Sequence, residues 1–336
     1  MTRALVVKQA GPGALVQDLG RPGFLTFGLS RGGAADRQAL FEAAALLGQD
    51  PECAALEMAA MGGQFEATED LRIALTGAPM RATLDGARLA WNASHLMPAG
   101  ATLAIGPAER GVYGYLSLGG GLATDMQLGA RGAHLAGGLG AAVAAGDHLG
   151  VGPDQGQTTH QTLPTDDRFD GGLIRTVASA QTDLFDPDEI ARFEATPFQR
   201  DTRANRMGVR LVSDGPGFAA SNALSVLSEA IVPGDIQITG DGSPFVLLAE
   251  CQTTGGYPRI GSVLPTDLPR VAQASAGAPL RFQFVTLEQA VEIERRAATH
   301  RAGLRGAVTP LVRDPRLIRD LLSYQMISGV TDGRPG

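Results

Sequence analysis

The sequence predicts a mainly β protein, built as two linked strand-rich domains with a few short helices. Its 336 residues exceed one ordinary core, given roughly 100–200 residues per domain. Gly 45 and Pro 20 suit short strands broken by tight turns. Apolar runs of strand length recur along the chain, whereas helical periodicity surfaces in few places. At 44% hydrophobic, the chain has apolar surface enough for two cores and does not read as disordered.

In residues 1–152, the first domain, Ala4–Val7 and Leu15–Gln17 read as strands on either side of Ala10-Gly11-Pro12-Gly13. Asp36 reads as the N-cap of a helix with Leu40, Ala44 and Leu47 on one face and Gly48 as its stop. Leu71–Thr76, Ala101–Ile105 and Tyr113–Leu118 are further strands, and Arg81–Leu84 and Arg88–Trp91 form a hairpin about Asp85-Gly86. Residues 153–171 turn polar without an apolar period and read as a linker. In residues 172–302, the second domain, Leu173–Ala178, Val209–Val212, Ile236–Thr239, Phe245–Ala249, Ile260–Leu264 and Leu280–Val285 read as strands. Asp186-Pro187-Asp188-Glu189 opens one helix, and Thr286 with Gln289 opens a longer one that Gly303 ends. Residues 303–336 form a tail with a last short helix from Asp314-Pro315. Many short strands and few helices indicate barrels or sandwiches, not a doubly wound sheet.

A net charge of −7 gives no basic footprint for nucleic acid or an anionic membrane, so a small molecule or a protein is the expected partner. Cys53 and Cys251 form no CxxC motif, and Lys8 stands where a secretory signal needs its apolar core. The uncharged run Gly132–Gly146 is too short to span a bilayer. A reducing cytoplasm is the expected compartment. Lys8 is also the sole lysine, which all but excludes Schiff-base chemistry and a serine–lysine amidase. Anions must then be met by arginine forks, backbone N–H groups and hydroxyls. No GxxxxGK[ST], no GxSxG and no HExxH occurs, and the glycine runs lack a strand–GxGxxG–helix context. No metal site is expected.

Four glycine-framed polar segments remain. Gln17-Asp18-Leu19-Gly20-Arg21-Pro22-Gly23 places Asp18 and Arg21 where they could pair across a turn, and Asp36 follows. Tyr115-Leu116-Ser117-Leu118-Gly119-Gly120-Gly121 leads to Leu128-Gly129-Ala130-Arg131, where Arg131 could hold an anion. In Asn205-Arg206-Met207-Gly208, Arg206 could clamp a carboxylate or phosphate. The most specific is Gln252-Thr253-Thr254-Gly255-Gly256-Tyr257-Pro258, between two apolar strands. Its amide, hydroxyls and phenol, with a Gly-Gly pair able to present N–H groups, suit an oxyanion or carboxylate. A simple hairpin needs only two residues.

In order, QDLGRPG, GLSRGGAAD, ALE, TGA, YLSLGGG, LGARG, NRMGVRL, SEAIVPGDIQI and QTTGGYPRIGSVLPTDLPRVAQ resemble the allophanate hydrolase subunit 2 family. That family is also described as the A and B subdomains of biotin-dependent carboxyltransferases, and the resemblance covers about residues 4–285. It implies cyclophilin-like β-barrel subdomains. Departures from the family pattern are Ala204-Asn205 for a Ser-Asp pair, Glu250-Cys251 for an Asp, Gly132 for a serine, and Ser179-Ala180 for a Gly-Pro.

The resemblance implies one of three functions. The first is the C subunit of ATP-dependent 5-oxoprolinase, with ATP needed at the level of the complex. It would work with a B-type subunit (allophanate hydrolase subunit 1-like) and with a separate A-type subunit. The second is a carboxyltransferase subunit moving a carboxyl group from carboxybiotin to a urea-like amide. The third is a regulatory protein that antagonises a kinase inhibitor. No biotinyl-lysine or biotin carboxylase segment is present, which favours the first. On this reading Asp18, Asp36, Arg206, Thr254 and Tyr257 are catalytic candidates. Arg21, Arg131, Gln252, Thr253, Gly255, Gly256 and Asp267 are the substrate-binding candidates.

Overall fold

The computed structural model describes residues 3–221 and 227–312. The expected mainly β fold is present, with four α-helices among the described residues: α1 (Arg37–Leu47), α2 (Pro187–Ala195), α3 (Leu268–Gln273) and α4 (Leu287–Ala307). The helix expected at Asp314-Pro315 lies outside the described residues. No described helix is long and apolar enough to cross a membrane.

A six-stranded and a seven-stranded sheet occupy the first half and pack face to face. Leu5, Val7, Phe65, Leu103 and Ile105 of the smaller sheet meet Leu56, Ile73, Leu75, Leu116 and Leu118 of the larger in one buried core. Burial of such side chains stabilises the fold by about 1.5–3 kcal/mol each. The hairpin at Asp85-Gly86 forms as expected, with both residues at positive φ (47° and 84°), which a two-residue hairpin turn of the primed kind requires. α1 lies on the outer face of the larger sheet, where Ala43, Leu46 and Leu47 cover Ala74. It begins and ends as its sequence dictates. The Asp36 carboxylate accepts from Ala39 N, and Gly48 takes the left-handed conformation.

Residues 172–284 close a seven-stranded barrel. Pro279–Phe284 closes it by pairing parallel with Gly172–Val177 and antiparallel with Phe198–Asn205. Phe193 of α2 is fully buried against Phe198, Phe218 and Phe282, with ring centroids 5.0–5.4 Å from it. α4 starts with the expected Thr286–Gln289 capping box. It does not stop at Gly303 but runs to Ala307, because Leu304 is buried beyond that glycine. Strands Ala55–Ala59, Gly63–Ala67, Ala93–Met97 and Phe198–Asn205 carry no alternation that sequence reading picked out.

The two halves share an interior. Ala39, Leu40, Tyr113 and Tyr115 cluster with the barrel's Ile174, Val271 and Leu280. The polar stretch 153–171, expected as a linker, packs mainly on the first half: Gln161–Thr162 adds a strand to the seven-stranded sheet, and its charges are used in ion pairs. Arg72 binds Asp154 through two hydrogen bonds of 2.6 and 2.8 Å. Arg168, buried, holds Asp36 and Glu42 at 2.8 Å each. Gln273 of α3 completes the junction. Its Oε1 accepts from Val112 N and Tyr113 N at 2.9 Å, while its Nε2 donates to Asp36 and to the Tyr113 carbonyl at 2.8 Å. Gln273 has 0% exposure, so no water can replace these bonds. Gln273→Leu keeps the volume but strands two buried N–H groups, and is expected to lower stability by about 1–3 kcal/mol in urea unfolding followed by circular dichroism.

Candidate functional site

The loop after barrel strand Pro244–Leu247 is fixed by backbone bonds, two within the barrel half and one from the first half. Leu248 N donates to Met207 O at 3.0 Å, Glu250 N to Arg206 O at 2.9 Å, and Gly32 N to Ala249 O at 3.0 Å. Ile231 N then donates to Thr253 O at 3.0 Å, and Thr254–Gly255 pairs with Glu229–Ala230 as a short ribbon. The result is a cavity of about 360 Å³ on the seam. Its chemistry-bearing wall residues are Ser30, His134, Glu250, Gln252, Thr253 and Thr254.

His134 and Ser30 are buried, with Nε2 and Oγ 2.8 Å apart. This distance invites a nucleophile–base reading, but the hydrogen bonds exclude it. Nδ1 accepts from Gly137 N at 3.0 Å and so carries no proton. Burial, followed by the positive charge of Arg21 and Arg206, keeps the imidazole below its ordinary pKa despite Glu250. The ring is therefore neutral, with its proton on Nε2, and it donates to Ser30. Ser30 keeps its own O–H for a ligand. Cys251, also on the wall, is no thiolate, since burial pushes its thiol up to about 12.

Glu250 is the anchored acceptor of the site. Arg206 Nε donates to its Oε1 at 2.6 Å, leaving Oε2 without a protein partner among the described residues. Arg206 also pairs with Glu57 and donates to the Gly33 carbonyl. Glu57 accepts from Tyr115 Oη at 2.6 Å and from Ala35 N at 2.8 Å. Burial opposes the charge on Arg206, but Glu57 and Glu250 outweigh it and hold the guanidinium above its ordinary value. Each nitrogen of its fork already has an acceptor within the chain and Arg206 is not on the cavity wall, so in this structure it positions Glu250.

Of the residues singled out from sequence, the structure brings Gln252, Thr253 and Thr254 together on this cavity. Tyr257 is 49% exposed and off its wall. Gly255 and Gly256 do not adopt positive φ. A Cβ at Gly255 would lie 2.5 Å from Gln237 Nε2, the movable end of a side chain that would have to shift. Asp18 and Arg21 form no ion pair. Buried Asp18 accepts from the N–H groups of Gly20, Arg131 and Gly132, while Arg21 donates to the Gly132 and Gln127 carbonyls. The Arg131 side chain donates to the Thr124 carbonyl. Asp36 caps α1 and receives Arg168 and Gln273, and Asp267 binds Arg175 of the neighbouring barrel strand. These acid and arginine positions shape the loops behind the cavity or lie away from it. Sequence reading missed Ser30, His134, Glu57 and Glu250 as partners, because each is remote in the chain from the group it serves.

Fold and site together define a β protein made of a two-sheet layer and a closed barrel, with a polar cavity of small-molecule size on the seam between them. Residues 27–284 match the family model described as carboxyltransferase domain, subdomain A and B, and the chain belongs to that family. It is 32% identical over 293 residues to the C subunit of 5-oxoprolinase from Escherichia coli, covering 86% of this chain and 93% of that one. The crystal structure of TTHA0988 superposes with a TM-score of 0.76 at 32% identity, over 84% of this chain and 56% of that one. This chain thus spans just over half of that protein. The Kluyveromyces lactis urea carboxylase shares the fold, with a TM-score of 0.82 at 22% identity over 94% of this chain and 31% of that one.

Proposed function

We propose that this chain is one component of a multi-protein enzyme acting on a small amide or lactam, and that the reaction is the ATP-dependent ring opening of 5-oxoproline to glutamate. The observation that carries the reading is the polarity of the seam cavity. An amide offers one acceptor, its carbonyl oxygen, and one donor, its N–H. The wall offers hydroxyl donors from Ser30, Thr253 and Thr254, and one anchored acceptor in Glu250. A lactam bound with its N–H on Glu250 would present its carbonyl to the hydroxyls. As the carbonyl oxygen gains negative charge, those donors bind it more tightly than in the ground state, which lowers the barrier. The resemblance of most of the chain to a protein named as the C subunit of 5-oxoprolinase supports the choice of substrate.

The wall does not suit a triphosphate. Among the described residues it contains the carboxylate of Glu250 and no arginine or lysine. ATP is therefore assigned to a partner, either the A-type or the B-type component, and no step is routed through it in this chain. The carboxyltransferase reading would use the same donors on a urea-like amide, with biotin delivered by another protein.

The chain alone is expected to turn over neither substrate. Purified with the products of its neighbouring genes, it should support ADP release that depends on 5-oxoproline. Release that depends instead on urea and a biotin-carrying protein would favour the carboxyltransferase reading. Robust turnover by the pure single chain would remove the need for partners.

A further inference from the structure

A second cavity, of about 300 Å³, opens where α1, α3 and α4 meet, and none of residues 252–257 lines it. Five arginines stand on its wall: Arg37, Arg168, Arg175, Arg270 and Arg301. Three are already committed. Arg168 holds Asp36, Glu42 and Asp166, Arg175 holds Asp267, and Arg270 holds Asp167. The other two are not. Arg37 has no carboxylate within ion-pair reach among the described residues, and its buried Nε has no hydrogen-bond partner. Arg301 has the ring of Phe41 beneath it at 5.6 Å and no carboxylate among the described residues.

An arginine in this position is costly to keep. Burial, then the like charges of Arg31 and Arg301, pushes the Arg37 guanidinium down to about 10. A buried donor without an acceptor destabilises the folded chain. A bound anion would reverse each of these costs. Two forks from different helices face one small space, and a carboxylate has only two oxygens, which a single fork satisfies. A phosphate group has three or more and can accept from both. Asp166, Asp267 and Glu294 share the wall, Asp166 and Asp267 already paired with Arg168 and Arg175, and their charge disfavours an extended polyanion and limits the ligand to one phosphate group.

We propose that this cavity is a binding site for a single phosphate group, held by Arg37 from α1 and Arg301 from α4. It does not rest on the amide-opening reading, since no residue of the seam cavity takes part.

The test is calorimetric titration of the full chain with inorganic phosphate, AMP and acetate at matched ionic strength, with melting curves alongside. Phosphate should bind and raise the melting temperature, and acetate should not. Arg37→Gln and Arg301→Gln should each weaken phosphate binding by about tenfold or more, the scale of one charge-assisted hydrogen bond. Without phosphate, Arg37→Gln should melt no lower than the parent chain, because it removes a partly buried, repelled charge. If that variant does not fold, Arg301→Gln carries the test. AMP binding tighter than phosphate would place the group on a nucleotide, and weaker binding would make it free phosphate; both support the site. No binding of phosphate, binding unchanged in both variants, or acetate binding as tightly as phosphate would overturn it.

Discussion

Arg206→Met is expected to destabilise the chain by about 3–5 kcal/mol, the scale set by leaving a buried carboxylate without its cation. Glu57 is 1% exposed and Glu250 4% exposed, and both lean on this one guanidinium. Methionine fills the space but supplies no charge and no donor. The Gly33 carbonyl, which also accepts from Arg206, loses its partner too. Arg206→Lys should recover only part of the loss, because an ammonium cannot reach three acceptors in the plane of a guanidinium fork. The measurement is the urea midpoint of each variant by circular dichroism. Adding Glu57→Gln to Arg206→Met should restore part of the stability, since one of the stranded charges then disappears. An Arg206→Met chain within about 0.5 kcal/mol of the parent would mean that the two glutamates are not held as described.

What sequence reading could and could not see follows from where each signal resides. The ends of α1 were legible because a helix terminus is a local problem: Asp36 and Gly48 answer it within one turn. The Asp85-Gly86 hairpin was legible for the same reason. Strand Phe198–Asn205 was not. Its text, FQRDTRAN, turns polar after the first residues, and it is a strand because the barrel needs its backbone groups between Gly208–Val212 and Pro279–Phe284. Gly303 misled because propensity is a weak prior, and the burial of Leu304 decided the helix.

At the site, Gln252, Thr253 and Thr254 were visible because a long polar loop between apolar strands concentrates donors in one place. Ser30 and His134 meet across 104 positions, and each looks like an ordinary turn residue alone. The same blindness hid the partners of Arg206. Residue type announces that an arginine fork will meet carboxylates, and it cannot say whether they belong to a ligand or to Glu57 and Glu250.

Thr254→Val is expected to lower kcat/KM of the assembled enzyme by about 10²–10³-fold while leaving the melting curve unchanged. Valine matches threonine in shape and strand preference, and the pairing of Thr254 with Ala230 uses backbone atoms only. The Thr254 hydroxyl has no partner among the described residues, so its loss strands no group among them. Its absence would be felt only when charge develops on a bound carbonyl. Thr253→Val should behave alike, since its carbonyl, not its hydroxyl, holds Ile231. Ser30→Ala is a less clean probe, because it also leaves His134 Nε2–H unpaired, at about 1–3 kcal/mol of stability. Tyr257→Phe supplies the control. Its side chain is half exposed and off the cavity wall, so it should keep near-parent activity unless a partner protein folds over the loop. A purely structural loop predicts the opposite pattern, with melting temperatures lowered and kinetics intact. Full activity in both Thr253→Val and Thr254→Val, measured with the partner proteins present, would remove these hydroxyls from the chemistry and return the loop to a scaffold that holds Glu250 in place.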